Sequence, residues 1–205
     1  EQITYGAEIT NCIGPRRTKH PAHGWTLRAV IEEMAHCSIA GALVGYTLSV
    51  HYDPMHGNLA LSRELAPHAN LFPVWNVMPH HTGECPAPDA LRALLHEYDV
   101  RAVSVNPNVN GWDMLSRHNR SLFAMLEEER LLTIIRQDQT GGYRNVEELC
   151  EHHPQLPVLL THVHWGQQRY ITPLLQAYRN LHLAFDHYQT HYGLEFLVEL
   201  GCEDQ

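Results

Sequence analysis

The chain has 205 residues, 44% hydrophobic and 18% charged, which is enough to bury one sizeable core and too apolar for a disordered segment. Its 14 basic and 23 acidic residues leave a net charge of −9, which argues against a nucleic-acid partner or an anionic membrane surface, since both select basic faces. No apolar run approaches the ~18 residues of a membrane span, and no secretory leader is visible. The five cysteines (Cys12, Cys37, Cys85, Cys150 and Cys202) include no C-x-x-C pair, so neither a disulfide framework nor a zinc knuckle is expected, and a reducing, cytoplasmic compartment is.

Apolar runs followed by a turn and a helical pattern recur roughly every 30 residues. The first run is 7–14, and its helix is expected to start at the N-cap Thr26, with Leu27, Val30, Ile31 and Met34 on one face. The second run is 41–50, followed by a helix over 58–66. The third is 70–78, followed by a helix over 87–98, which Asp89 can cap with Pro88 near its entrance. The fourth pair is 100–106 and 119–130, and the fifth is 131–137 and 145–153. The sixth is 156–163 and 170–180, and the seventh is 181–187 and 193–201.

Runs that are apolar on both faces belong to buried parallel sheets, and strand–helix alternation makes the crossovers right-handed. A (β/α)8 barrel and an open doubly wound sheet both fit. No G-x-G-x-x-G or G-x-x-x-x-G-K-[ST] follows a strand, which weakens the nucleotide-binding version of the open sheet. Seven units are countable, and "GCEDQ" stands where an eighth strand would begin.

Histidine is over-represented, at 17 of 205 residues. His36, His96, His152 and His153 fall on or just after predicted helices, where a surface role is the expectation. In a barrel the site lies at the carboxyl ends of the strands. That rule selects Thr10, Cys12, His51, Asn76, His80 and His81 in the first half. In the second half it selects Asn106, Asn108, Arg136, Asp138, His162, His164, Asp186, His187 and His191.

His162 and His164 are two apart, so on an extended chain they share a face, as two imidazoles on one ion would require. His80 and His81 are adjacent and should diverge. Arg136 suits a substrate carboxylate held in a bidentate pair, or else an ion pair with Asp138 or Asp186. Asp138 could take a proton from water, and His164 could act as general acid or base. Trp75 and Trp165 could wall an apolar pocket, although core packing is the alternative for Trp75. The basic segment 14–20 reads as a solvated loop, and 106–112 as a turn-rich loop whose asparagines orient substrate or shape turns.

The stretches "NLFPVWNVMP" (70–79), "RAVSVNP" (101–107), "PVLLTHVHWG" (157–166) and "LAFDHYQTHYGLEFLVELG" (183–201) resemble, in order and spacing, the amidohydrolase-related family of TIM-barrel metal-dependent hydrolases. The resemblance implies one TIM-barrel domain over 1–205, incomplete at its C-terminus, because the family's aspartate-bearing eighth strand would follow Gln205. It also implies a metal-ligating His-x-His on the first strand, where this chain has Thr10 and Cys12. A histidine is implied at the end of the fifth strand, where this chain has Arg136, Gln137 and Asp138. The sixth-strand histidine is kept as His164.

The expected function is therefore amidohydrolase-like hydrolysis, with decarboxylation as a second chemistry, of a small carboxylate-bearing molecule. His164 and Asp138 are the expected catalytic residues, and Arg136, Asn106, His80 and His187 are expected to bind substrate. His164, His162 and Cys12 are the candidate ligands for one divalent metal such as zinc. The competing reading, favoured by Thr10 and Cys12, is a barrel that binds a small molecule without metal. A homo-oligomer is left open.

Overall fold

The computed structural model describes residues 9–13 (backbone only), 26–187 and 190–205, without the side chains of Trp165, Asp186 and His187. Two compact units divide the chain, Glu1–Ser104 and Val105–Gln205.

The first unit opens with β1 (Ile9–Ile13) and α1 (Leu27–His36). Thr26 caps α1 as expected, its hydroxyl accepting the Ala29 N–H at 3.2 Å. Strand β2 (Ala42–Tyr46) follows, then α2 (Thr47–His51), α3 (Pro54–Leu65), β3 (Leu71–Asn76), α4 (Pro88–Glu97) and β4 (Ala102–Val105), whose last residue crosses the unit boundary. All pairings are parallel and follow chain order: Ile9 beside Val44, Leu43 beside Phe72, Trp75 beside Val103. A doubly wound sheet would reverse its order at a switch point; this unit does not. Val30 and Met34 of α1 pack with Val44, Leu61, Leu65 and Leu71 in a dry cluster.

Three boundaries differ from the sequence expectation. The run 41–50 is not one strand, because the chain turns into α2 after Tyr46. Ser49 Oγ donates to the Tyr46 carbonyl at 2.7 Å, a local bond that serine offers in place of a ladder. The next helix starts at Pro54 rather than at 58, with Asp53 as its cap accepting the His56 N–H at 2.9 Å and Pro54 pre-set for the first turn. Asp89 does not cap α4. Ala87 holds that position, and Asp89 sits in the first turn, 3.7 Å from Arg92.

The second unit runs α5 (Pro107–Asn110), α6 (Arg120–Glu128), β5 (Leu132–Arg136), α7 (Tyr143–His152), β6 (Val158–His164), α8 (Gln168–Ala177), β7 (Leu181–His187) and α9 (Gly193–Glu199). Strands β5, β6 and β7 pair in parallel, again in chain order, with Ile135 beside Leu160 and Leu160 beside Leu183. Gln205 closes on β7. Its carbonyl accepts the Leu183 N–H at 2.7 Å, and its side-chain amide donates to the Tyr178 and Leu181 carbonyls.

At the carboxyl end of β3, Asn58 substitutes for a neighbouring strand. It accepts the Asn76 N–H and donates to the Asn76 carbonyl, each at 2.9 Å. The Asn76 amide in turn reaches the Ser49 carbonyl at 2.8 Å. Gly57 permits this approach, since a Cβ there would lie 2.4 Å from the Ser49 backbone nitrogen.

Asn58 is fully buried. Replacing it by alanine strands one backbone donor and one acceptor at about 1–3 kcal/mol each, so Asn58→Ala is expected to lose roughly 2–5 kcal/mol. Urea unfolding checks this as a lower midpoint at unchanged slope. Asn70→Ala, which removes an exposed bond to the Ala40 carbonyl, is expected to cost under about 1 kcal/mol.

Candidate active site

The strand ends of the second unit bring together several of the residues singled out from the sequence. Arg136 ends β5. Two residues later, in a short 3-10 turn (Gln137–Gln139), the Asp138 carboxylate meets its guanidinium fork, Nε–Oδ1 at 3.0 Å and the terminal nitrogen to Oδ2 at 3.2 Å. Of the two partners expected for an ion pair, Asp138 is observed, and the Asp186 side chain lies outside the described residues. Both side chains stay accessible, 42% and 53% exposed, so solvent weakens the pair and leaves it open to a ligand.

Burial works to raise the Asp138 pKa. The Arg136 hydrogen bond and charge, a Gln139 hydrogen bond and the nearby His162 outweigh it and hold the carboxyl below its ordinary value. Asp138 is accordingly a weaker base than a free carboxylate. Asn108 donates to the Asp138 carbonyl at 2.5 Å, and Gln139 Oε1 accepts the Val109 N–H at 3.0 Å, tying the α5 turn to the end of β5. Asn106 is buried at the entrance to α5.

β6 departs from the sequence expectation. His162 adopts a left-handed backbone with φ of +59°, and the pairing with β7 slips there, four β6 residues (160 to 163) lying against three of β7 (183 to 185). This is a bulge, and it breaks the alternation that would place His162 and His164 on one face. His162 is half-buried with Nδ1 3.2 Å from Thr161 Oγ1, while His164 is exposed.

His164 is held by a residue that sequence reasoning passed over. Gln167 Oε1 accepts the His164 N–H at 3.1 Å, and the imidazole accepts the Gln167 N–H in return. The Tyr143 hydroxyl donates to the same Gln167 oxygen at 2.7 Å. Burial, with the neighbouring Tyr170 adding to it, pushes the Tyr143 pKa far up, so the phenol stays protonated as a donor. Its ring stacks on Tyr170 at 5.1 Å and 4°. The spacing from His164 to Gln167 is that of a capping box with histidine in the serine position, a substitution that hides the signal.

The other expected residues lie elsewhere or outside the description. His80 and His81 do not diverge: a 3-10 turn (His80–Thr82) brings their rings to 4.7 Å in the first unit. His51 is exposed at the end of α2. Trp75 is core, fully buried, bonded to Ser62 Oγ at 2.8 Å and packed on Tyr98. His191 is exposed, its ring 4.2 Å from that of Tyr192. The side chains of Thr10, Cys12, Trp165, Asp186 and His187, and the segment 14–20, lie outside the described residues. Among the described residues, no three His, Cys, Asp or Glu side chains converge as a metal centre requires. The described donors alone therefore do not fit a resident metal.

No family model matches the sequence, and no curated protein matches it. Solved structures do match in fold. An uncharacterised TIM-barrel protein from Bordetella bronchiseptica superposes with a TM-score of 0.63 at 19% identity, over 85% of this chain and 65% of that one. A 5-carboxyvanillate decarboxylase from Sphingomonas paucimobilis gives 0.61 at 12% identity, over 89% and 73%. A 5-carboxyvanillate decarboxylase from Novosphingobium aromaticivorans, solved with manganese and 4-hydroxy-3-methoxy-5-nitrobenzoic acid, gives 0.60 at 13% identity, over 85% and 67%. The chain thus spans about two thirds to three quarters of these structures. The fold is α/β of the (β/α)8 TIM-barrel type, with seven strand–helix units described where a full barrel has eight.

Two measurements check this geometry. His162→Val forces a β-branched residue into the left-handed region and is expected to cost about 1–3 kcal/mol, whereas His162→Gly should leave thermal stability unchanged or raise it. Arg136→Gln should raise the Asp138 pKa, because the hydrogen bond and charge that hold it down are removed, as carboxyl NMR titration would read. The depressed native pKa makes this pair's contribution present above the unfolded-state pKa and lost as pH falls through the folded one, so the variant should lose less stability on acidification.

Proposed function

We propose that the chain is the barrel of an amidohydrolase-like enzyme acting on a small carboxylate-bearing molecule at the strand ends of its second unit. The observation that carries this reading is the accessible Arg136 guanidinium at the end of β5, with Asp138 in its fork and His162 nearby. A guanidinium in that position receives a planar carboxylate through two parallel N–H donors. Asp138 holds the fork aligned until substrate exchanges for it or shares it. His164, exposed and oriented by Gln167, is the imidazole that would carry a proton onto a leaving group or from water. Asn106 and Asn108 line the same end of the unit and supply polar contacts to the substrate body.

Hydrolysis is the first chemistry of this reading and decarboxylation the second. The sequence resemblance supports the first, and the names of the two decarboxylases of shared fold support the second. A divalent ion such as zinc, when bound, would polarise a carbonyl and acidify water. The described residues do not assemble three donors for it, and the roles of Arg136, Asp138 and His164 do not depend on it. Thr10 and Cys12, in place of the first-strand histidine pair that the resemblance implies, favour a second reading: a barrel that binds a small carboxylate without turning it over.

Turnover and binding of 5-carboxyvanillate by the purified protein, together with metal content by mass spectrometry, separate the two. The enzyme reading expects product formation that falls at least tenfold in His164→Ala, and binding that weakens at least tenfold in Arg136→Gln, equivalent to about 1.4 kcal/mol. About one divalent ion per chain, lost in His164→Ala, would add metal assistance. Binding without turnover of this or related carboxylates supports the second reading. Carboxylate binding indifferent to Arg136→Gln overturns both.

A further inference from the structure

A recess lies on the helical side of the second unit, against α6 and α7. It encloses about 190 Å³. Phe123, Leu149, Met114 and Leu115 give it an apolar floor, and Arg120, Glu148, His152 and His153 furnish the polar rim. It adjoins the carboxyl end of α7, whereas Tyr143, next to the strand-end residues, begins that helix. Nine residues of α-helix separate Tyr143 from His152, roughly 13 Å.

The polar groups of this rim are committed unequally. Glu148 is already paired, its carboxylate 2.8 Å from Arg144 Nε. His152 Nδ1 lies 2.6 Å from the Glu148 carbonyl, and His153 Nδ1 lies 2.8 Å from Glu127 Oε2. Those contacts place a proton on each Nδ1 and leave each Nε2 available to a guest. Phe123 packs against the His153 ring at 5.9 Å, which steadies the back wall. Arg120 has no ion-pair partner among the described residues. The rim therefore holds the Arg120 guanidinium, with the rim carboxylate of Glu148 engaged by Arg144, beside an apolar floor.

We infer that this recess is a binding site for a small monocarboxylic acid with one ring or a short aliphatic body. The acid group pairs with Arg120, and the apolar body covers Phe123 and Leu149. The volume lies below the ~300 Å³ at which drug-sized sites begin, which limits the guest to about a single ring. The Arg120 fork selects an anion over a neutral molecule of the same shape. The site is independent of the strand-end reading, because it shares no residue with it.

Benzoate titrated into the whole protein by calorimetry tests the inference, with benzyl alcohol as the neutral counterpart. Saturable benzoate binding is expected, at least tenfold tighter than that of benzyl alcohol. It should weaken at least tenfold in Arg120→Gln and persist in Arg136→Gln, which disables the strand-end anchor instead. Leu115→Trp, which fills the recess, should also abolish it. Arg120 is exposed, and an unchanged circular dichroism spectrum confirms that its variant folds. Absence of benzoate binding, equal affinity for the alcohol, or binding indifferent to Arg120→Gln overturns the site. Loss only in Arg136→Gln would assign the binding to the strand ends.

Discussion

A parallel strand cannot end cleanly. Where the ladder stops, its last N–H and C=O groups still need partners, and the helix that follows has not begun to supply them. In this chain asparagine and glutamine meet that need. Asn58 takes both backbone groups of Asn76, Gln139 answers Val109, Asn108 answers Asp138, and Gln167 answers His164. The amino ends are treated alike: Asn70, just before β3, reaches Ala40, and Asn180, just before β7, reaches both His153 and Leu156. An amide can donate and accept at once, so one side chain stands in for a missing strand neighbour.

These amide contacts decide where the chemistry-bearing groups stand. His164 is exposed yet oriented, because Gln167 grips its backbone and its ring, and Tyr143 grips Gln167. The bulge at His162 re-aims the end of β6 and brings that residue close enough to Asp138 to favour its charged form. A left-handed non-glycine costs about 1–3 kcal/mol and persists only where its surroundings enforce it. Of the five described non-glycine residues with positive φ, Ser38, Asp99, Arg130 and Tyr192 fall in turns, and His162 alone lies within a strand.

The alternation of strands and helices was readable because it rests on periodicity, which each segment carries within itself. The order of neighbouring strands followed from the short right-handed crossovers. The Arg136–Asp138 pair was among the alternatives the sequence offered, because an arginine at a strand end needs an answering charge and Asp138 is two residues away; the 3-10 turn that closes it was not readable. What escaped reading depends on partners distant in sequence. The run 41–50 is apolar throughout, so its turn at Thr47 shows only once Ser49 meets Tyr46 locally and Asn76 from β3. The bulge at His162 is set by the register of β7, which no local pattern contains. His153 read as a surface residue, but Glu127, from α6, draws it into a 2.8 Å hydrogen bond.

The Arg136–Asp138 pair also bears on which functional reading is stronger. An arginine wholly satisfied inside the protein would argue for architecture. Here the pair is about half exposed, and its two partners are neighbours on one short turn, so neither pins a distant element. Such a pair contributes little to stability, and exposed ion pairs are commonly worth under about 1 kcal/mol. A structural role thus gives little reason to place it at a strand end beside a strained histidine. An incoming carboxylate loses little by displacing Asp138, and the displaced carboxylate, freed from the guanidinium, becomes a better base as the substrate arrives. On the proposed reading, release of that contact by a bound carboxylate would raise Asp138 basicity, and so couple carboxylate recognition to a group able to take a proton from water.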